Sequence, residues 1–71
     1  MRYAIVIEKT ENNYSAYVPD LPGCVATGAT VEQVESEIKE AIDFHLAGMR
    51  EDGLPIPSGA SLVEYVQVIA P

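Results

Sequence analysis

One stretch limits what this chain can become. Residues 30–52 carry the only long apolar repeat with helical spacing, and everything else reads as strand or turn. Thr30 is a good N-cap, and Gln33 three residues on completes a capping box. Val34, Ile38, Ala41, Ile42, His45 and Met49 recur at helical spacing and form one stripe to be buried. Glu32, Glu35, Lys39, Asp43 and Arg50 lie opposite, with Glu35 and Lys39 placed as an i,i+4 ion pair. Glu32 and Glu35 suit the positive end of the helix dipole. Gly53 is positioned to end the helix, and Pro55 bars its continuation. A single helix covers one face of a small sheet, so the strands decide how much apolar surface is left over.

Residues 2–8 are rich in Ile and Val and read as a strand, with Tyr3, Ile5 and Ile7 on one side and Ala4 and Val6 on the other. Residues 10–13 are a turn by composition, and residues 14–18 a second strand, which makes an antiparallel hairpin. Pro19-Asp20-Leu21-Pro22-Gly23 ends that strand and sets a tight turn. Residues 24–27 are a short third strand closed by Gly28. After the helix, residues 54–59 form a stiff proline-rich connector, and residues 62–69 read as a last strand rich in Val, Ile and Tyr. The expected fold is α+β in the order β-β-β-α-β: a four-stranded mixed sheet with one helix on one face. Tyr3, Ile5, Ile7, Tyr14, Val63, Tyr65 and Ile69 cannot all lie under that helix, so a bare apolar sheet face is expected to meet another chain.

Size leads to the same expectation. A chain of 71 residues is one domain with a marginal core that needs a staple. Cys24 is the only cysteine, so no disulfide forms within the chain, and one Cys with one His falls short of a zinc site. The remaining staple is association, as a homo-dimer or tetramer or with a different partner. Four Lys and Arg against eleven Asp and Glu leave a formal net charge of −7. Arg2, Lys9, Lys39 and Arg50 are scattered, so direct nucleic-acid binding by this chain is disfavoured and a basic partner is favoured. No apolar run reaches the ~20 residues of a membrane span. The N-terminus reads as a strand and not as a signal peptide, and the lone thiol suits a reducing compartment, so a cytoplasmic location is expected.

Candidate chemistry is thin. Cys24 and His45 are the only possible thiol–imidazole pair, with no third orienting group evident. Cys24 reads better as a small buried hydrophobe and His45 as a residue at the core's edge. Glu32, Glu35, Glu37, Glu40 and Asp43 have the spacing of a solvated helix face. Asp20 before Leu21-Pro22-Gly23 supports a turn. No phosphate-binding loop, dinucleotide fingerprint or paired-cysteine motif is present. The tyrosines Tyr3, Tyr14, Tyr17 and Tyr65 lack the basic groove that base stacking requires. The chain is expected not to be an enzyme and to need no cofactor or metal.

A family pattern then emerges. Tyr17-Val18-Pro19-Asp20-Leu21-Pro22-Gly23-Cys24, followed by Thr27-Gly28-Ala29-Thr30, a Glu-rich helix with Glu40-Ala41-Ile42, and the exit Gly53-Leu54-Pro55-Ile56-Pro57 resemble the HicB-like antitoxin family over nearly the whole chain. The resemblance implies a partial RNase H-like fold, with the fourth strand parallel to the first through a right-handed crossover. It implies an antitoxin of a type II pair, which binds a small basic HicA-type mRNA-cleaving toxin and masks its active site. Many family members carry a further C-terminal DNA-binding domain. This sequence ends directly after the last strand, so residues 1–71 are expected to be a single HicB-like domain without it.

The residues chosen as partner contacts, on chemistry alone, are Asp20, Glu32, Glu35 and Asp43. Two alternatives stand beside the antitoxin. One is an orphan homo-oligomeric scaffold or small-ligand-binding module of the same fold without a toxin. The other is a residual metal-dependent nuclease using Glu8 and Asp43.

Overall fold

The computed structural model describes residues 1–70. Its elements are β1 (Val6–Lys9), β2 (Tyr14–Tyr17), β3 (Val25–Gly28) and α1 (Val31–Glu51). The three strands form one antiparallel sheet in the order β1-β2-β3. Register is read directly across it. Ile7, Ala16 and Ala26 form one row and Val6, Tyr17 and Val25 the next. Adjacent rows point to opposite faces. The Ile7 row lies on the α1 side, where Tyr3, Ile5, Ile7, Tyr14 and Ala26 pack against the core.

Small side chains bring the helix close. Ala16 and Ala26 sit mid-sheet, and α1 packs over β3 and β2. A Cβ on Gly28 would lie 2.7 Å from the Val34 backbone nitrogen, so helix and sheet nearly touch there. The enclosed core is Ala16, Val18, Leu21, Cys24, Val34, Ile38 and Leu46. Leu21 enters it from the turn: Leu21 N–H donates to the Val18 carbonyl, Cys24 N–H to that of Leu21, and Val18 N–H to that of Cys24. Gly23, at φ 83°, supplies the left-handed residue this turn requires. The five-residue turn thereby drives an apolar plug into the core.

The helix ends follow local chemistry. Gln33 N–H donates to Thr30 Oγ1 at 3.0 Å, and Gln33 Oε1 accepts from Ala29 N–H at 2.7 Å, one residue earlier than a standard capping box. At the other end, Leu54 N–H donates to the Met49 carbonyl and Gly53 N–H to that of Arg50. With Gly53 at φ 68°, this is a Schellman motif. The expected Glu35–Lys39 pair is replaced by Lys39–Asp43, at 3.1 Å. Both carboxylates stand one helical turn from Lys39, and the ammonium goes to the C-terminal one. Leu46, absent from the expected stripe, is buried in the core.

The main departure concerns the last strand. Among the described residues the sheet has three strands, and residues 62–69 form no ladder. The connector crosses the body near residues 2–3, where Tyr3 Oη donates to the Pro57 carbonyl and a Cβ on Gly59 would collide with the Arg2 carbonyl oxygen. The chain is next held at Ser61 by Asp20 and then leaves the body as an exposed arm. The molecule measures 50 × 26 × 17 Å. β1 is also shorter than its apolar run, because β2 ends opposite Val6 and Val18 bonds into the turn instead.

Two glycines test this packing in opposite directions. Gly28→Ala is expected to destabilise the fold, because its methyl meets backbone and not a yielding side chain. Gly48→Ala, whose Cβ meets nothing within 4 Å, is expected to stabilise by roughly 0.5–1 kcal/mol through helix propensity. Urea unfolding monitored by circular dichroism reads both changes.

Candidate functional site: an acidic helix face and an anchored arm

The sequence-predicted contact residues divide into two places. Glu32, Glu35 and Asp43 are exposed on α1. With Lys39 they fall at i, i+3, i+7 and i+11, which is one stripe on the helix surface. Asp43 is engaged by Lys39, while Glu32 and Glu35 in the first turns are exposed to solvent. Asp20 stands apart from them. It follows β2, at the end of the sheet away from Gly28, whereas the helix starts beside Gly28.

Asp20 has an internal role that sequence reading missed. Its Oδ2 accepts from Ser61 N–H at 2.9 Å and its Oδ1 from Ser61 Oγ–H at 2.8 Å. These bonds, backbone first, hold its carboxyl below the ordinary value of 3.8. The partner lies 41 residues away, beyond the reach of any local motif. The only hint in the sequence is a serine two residues after the glycine that ends the connector.

The other candidates resolve simply. Cys24 is buried, and burial raises its thiol pKa, which suits a structural cysteine and not a nucleophile. His45 is half-buried on α1, and neither side chain hydrogen-bonds the other among the described residues. Glu8 follows the helix-facing Ile7 and is exposed, so it lies on the sheet face away from α1 and Asp43. The geometry keeps the two carboxylates of the nuclease alternative apart. Among the described residues no group of three His, Cys, Asp or Glu could hold a metal ion, and no helix is long and apolar enough to cross a membrane.

Among the described residues, two stretches of the sheet and C-terminal segment expose apolar surface, besides single residues such as Phe44 on α1. The first is the Val6–Tyr17–Val25 row, with Tyr17 and Val25 on the surface. The second is the arm, where Leu62, Tyr65, Val66, Val68 and Ile69 are all largely exposed. An open cleft lined by residues 1–5 and 58–63 separates the root of the arm from the N-terminal segment.

Because the folded Asp20 pKa is lowered, the Asp20–Ser61 clamp is in place above the ordinary carboxylate range and is lost as pH falls through the lowered value. The Ser61 amide proton should therefore shift upfield in NMR spectra as the solution is acidified. In Asp20→Ala that titration should disappear and residues 60–62 should sharpen as the arm loosens. A Ser61 amide that ignores acid in the unsubstituted chain would show that the clamp does not form.

The comparisons with known proteins agree with this architecture. Residues 3–69 match the family model described as HicB-like antitoxin of bacterial toxin-antitoxin system. An uncharacterized 14.9 kDa protein from the rep-hol intergenic region of Haemophilus phage HP1 is 41% identical over 66 residues. The match takes in 93% of this chain but 50% of the phage protein, so the chain spans half that relative's length. A UPF0150 protein of Helicobacter pylori is 46% identical over 66 residues, covering 93% of this chain and 85% of its own. Among solved structures, a chain of a HicA3 and HicB3 toxin-antitoxin complex superposes with a TM-score of 0.69 at 34% identity, covering 79% of this chain and 65% of that one. On sequence and on fold, the chain belongs to the HicB-like antitoxin family.

Proposed function

We propose that this protein is the antitoxin of a toxin–antitoxin pair and that it binds and masks a small basic HicA-like toxin. The observation that carries this reading is the structural match to a chain of a HicA3 and HicB3 toxin-antitoxin complex at 34% identity. The chemistry of the surface supports it. A net charge of −7 with an acidic stripe on α1 complements a basic, RNA-handling partner. Charge of this kind accelerates encounter and selects the partner, while apolar contacts supply most of the affinity. The exposed Val6–Tyr17–Val25 row offers apolar contact on the sheet face away from α1, a surface separate from that charge. Masking is by occlusion, with no chemical step on the antitoxin, in the cytoplasm where toxin and mRNA meet.

Co-expression with the small open reading frame beside its gene tests the reading. Rescue of growth with a stoichiometric complex is the expected result, and a non-toxic neighbour that fails to co-purify would overturn it. Within the complex, the association rate should fall steeply with added salt. Glu32→Lys with Glu35→Lys should slow it by roughly tenfold at low ionic strength while leaving the helical circular dichroism unchanged. Stopped-flow mixing measures both, and a rate indifferent to salt and to these substitutions would remove the electrostatic part of the mechanism.

A further inference from the structure

We propose that residues 62–69 are the fourth strand of a sheet in a second copy of this chain, pairing along its β1, so that two copies exchange arms reciprocally. This inference stands on the geometry of the arm and not on the toxin.

The arm has the composition of a strand covered on both sides. Val63, Tyr65, Gln67 and Ile69 alternate with Leu62, Glu64, Val66 and Val68, three apolar residues of four on each face. Yet Tyr65 is 96%, Val66 81% and Ile69 98% exposed. A contiguous apolar strand left in water marks an interaction surface.

The body of the molecule offers a matching vacancy. β1 is an edge strand, with β2 on one side only. It continues N-terminally into residues 1–5, which lie beyond the end of β2 and have no ladder partner. Beyond the connector's contacts at Arg2 and Tyr3, the six residues of edge from Ala4 to Lys9 face an eight-residue arm. The other edge, β3, is four residues long and runs straight into α1, against which Gly28 is pressed. Unpaired edges of this kind accept a strand from another chain.

The arm is led away from its own β1. The Gly59 contact at Arg2 and the Asp20–Ser61 bonds fix its root, and the cleft between residues 1–5 and 58–63 opens where an intrachain ladder would begin. Pro55 and Pro57 stiffen the connector that delivers it. From that root eight extended residues reach ~26 Å, enough to run the length of a neighbouring β1.

Charge also selects this contact. Two copies at −7 repel one another, but the arm carries one charge, Glu64, and residues 3–7 of the receiving edge carry none. Contact is made through the least charged stretches of each copy. Each chain has one arm and one such edge, so a two-fold exchange satisfies both and closes the assembly.

Size-exclusion chromatography with light scattering on the full chain should give a dimer. In a sample mixing two isotope labels, NOEs should run from the Val66, Val68 and Ile69 methyls of one copy to β1 amides of the other. Val66→Asp should raise the dimer dissociation constant at least ~100-fold, while Glu64→Gln leaves it unchanged. Because the arm lies outside the core, Val66→Asp should keep the helical circular dichroism and so separate lost exchange from lost folding. A monomer at all concentrations would overturn the proposal. So would a dimer whose arm-to-β1 NOEs arise only within one label, or an arm that becomes ordered only when a different protein is added.

Discussion

The contact between one helix and three short strands supports everything else in this molecule. Val34, Ile38 and Leu46 are the buried residues α1 contributes; the sheet answers with Ala16 and the closely approached Gly28, and the turn with Cys24. Small residues on the sheet let the helix come down until backbone nearly meets backbone. Leu21 then seals the end of the core from the turn. Among the described residues, an interior of seven enclosed side chains is small for a chain of this length, and it lies on the α1 side of the sheet. The opposite face and the β1 edge are left without intrachain cover as a direct result.

That asymmetry separates the surfaces by chemistry. Carboxylates line the outer face of α1, where water solvates them. Apolar residues occupy the open sheet face and the arm. Among the described residues the core holds no buried polar side chain, so the charged groups all lie on outward-facing elements. Asp20 belongs to neither set: it spends its carboxylate on the backbone and hydroxyl of Ser61, and so determines where the arm begins.

Much of the fold was legible beforehand, for reasons that can be named. The helix limits followed from Thr30, Gly53 and Pro55, and the structure gives Val31–Glu51 between those signals. The first three strands followed from β-rich runs broken by Asn, Pro and Gly, and the turn residues resembled those of the family later matched over residues 3–69. Other features were not legible. Lys39 had equally spaced carboxylates on both sides, and spacing alone does not choose between Glu35 and Asp43. Leu46 was absent from the expected stripe and Leu21 was placed only in a turn, yet both are buried in the core.

The chain's local rules determined its elements, its net charge and its surplus of apolar strand. These depend on residue type and near-neighbour spacing, which act over a few positions. The tertiary structure alone decided where the surplus goes. Ser61 meets Asp20 across 41 residues, Gly59 presses on Arg2, and residues 62–69 are carried off the body and not laid along β1. Such choices depend on the path of the backbone through space, and no periodicity in the arm's own sequence records that path.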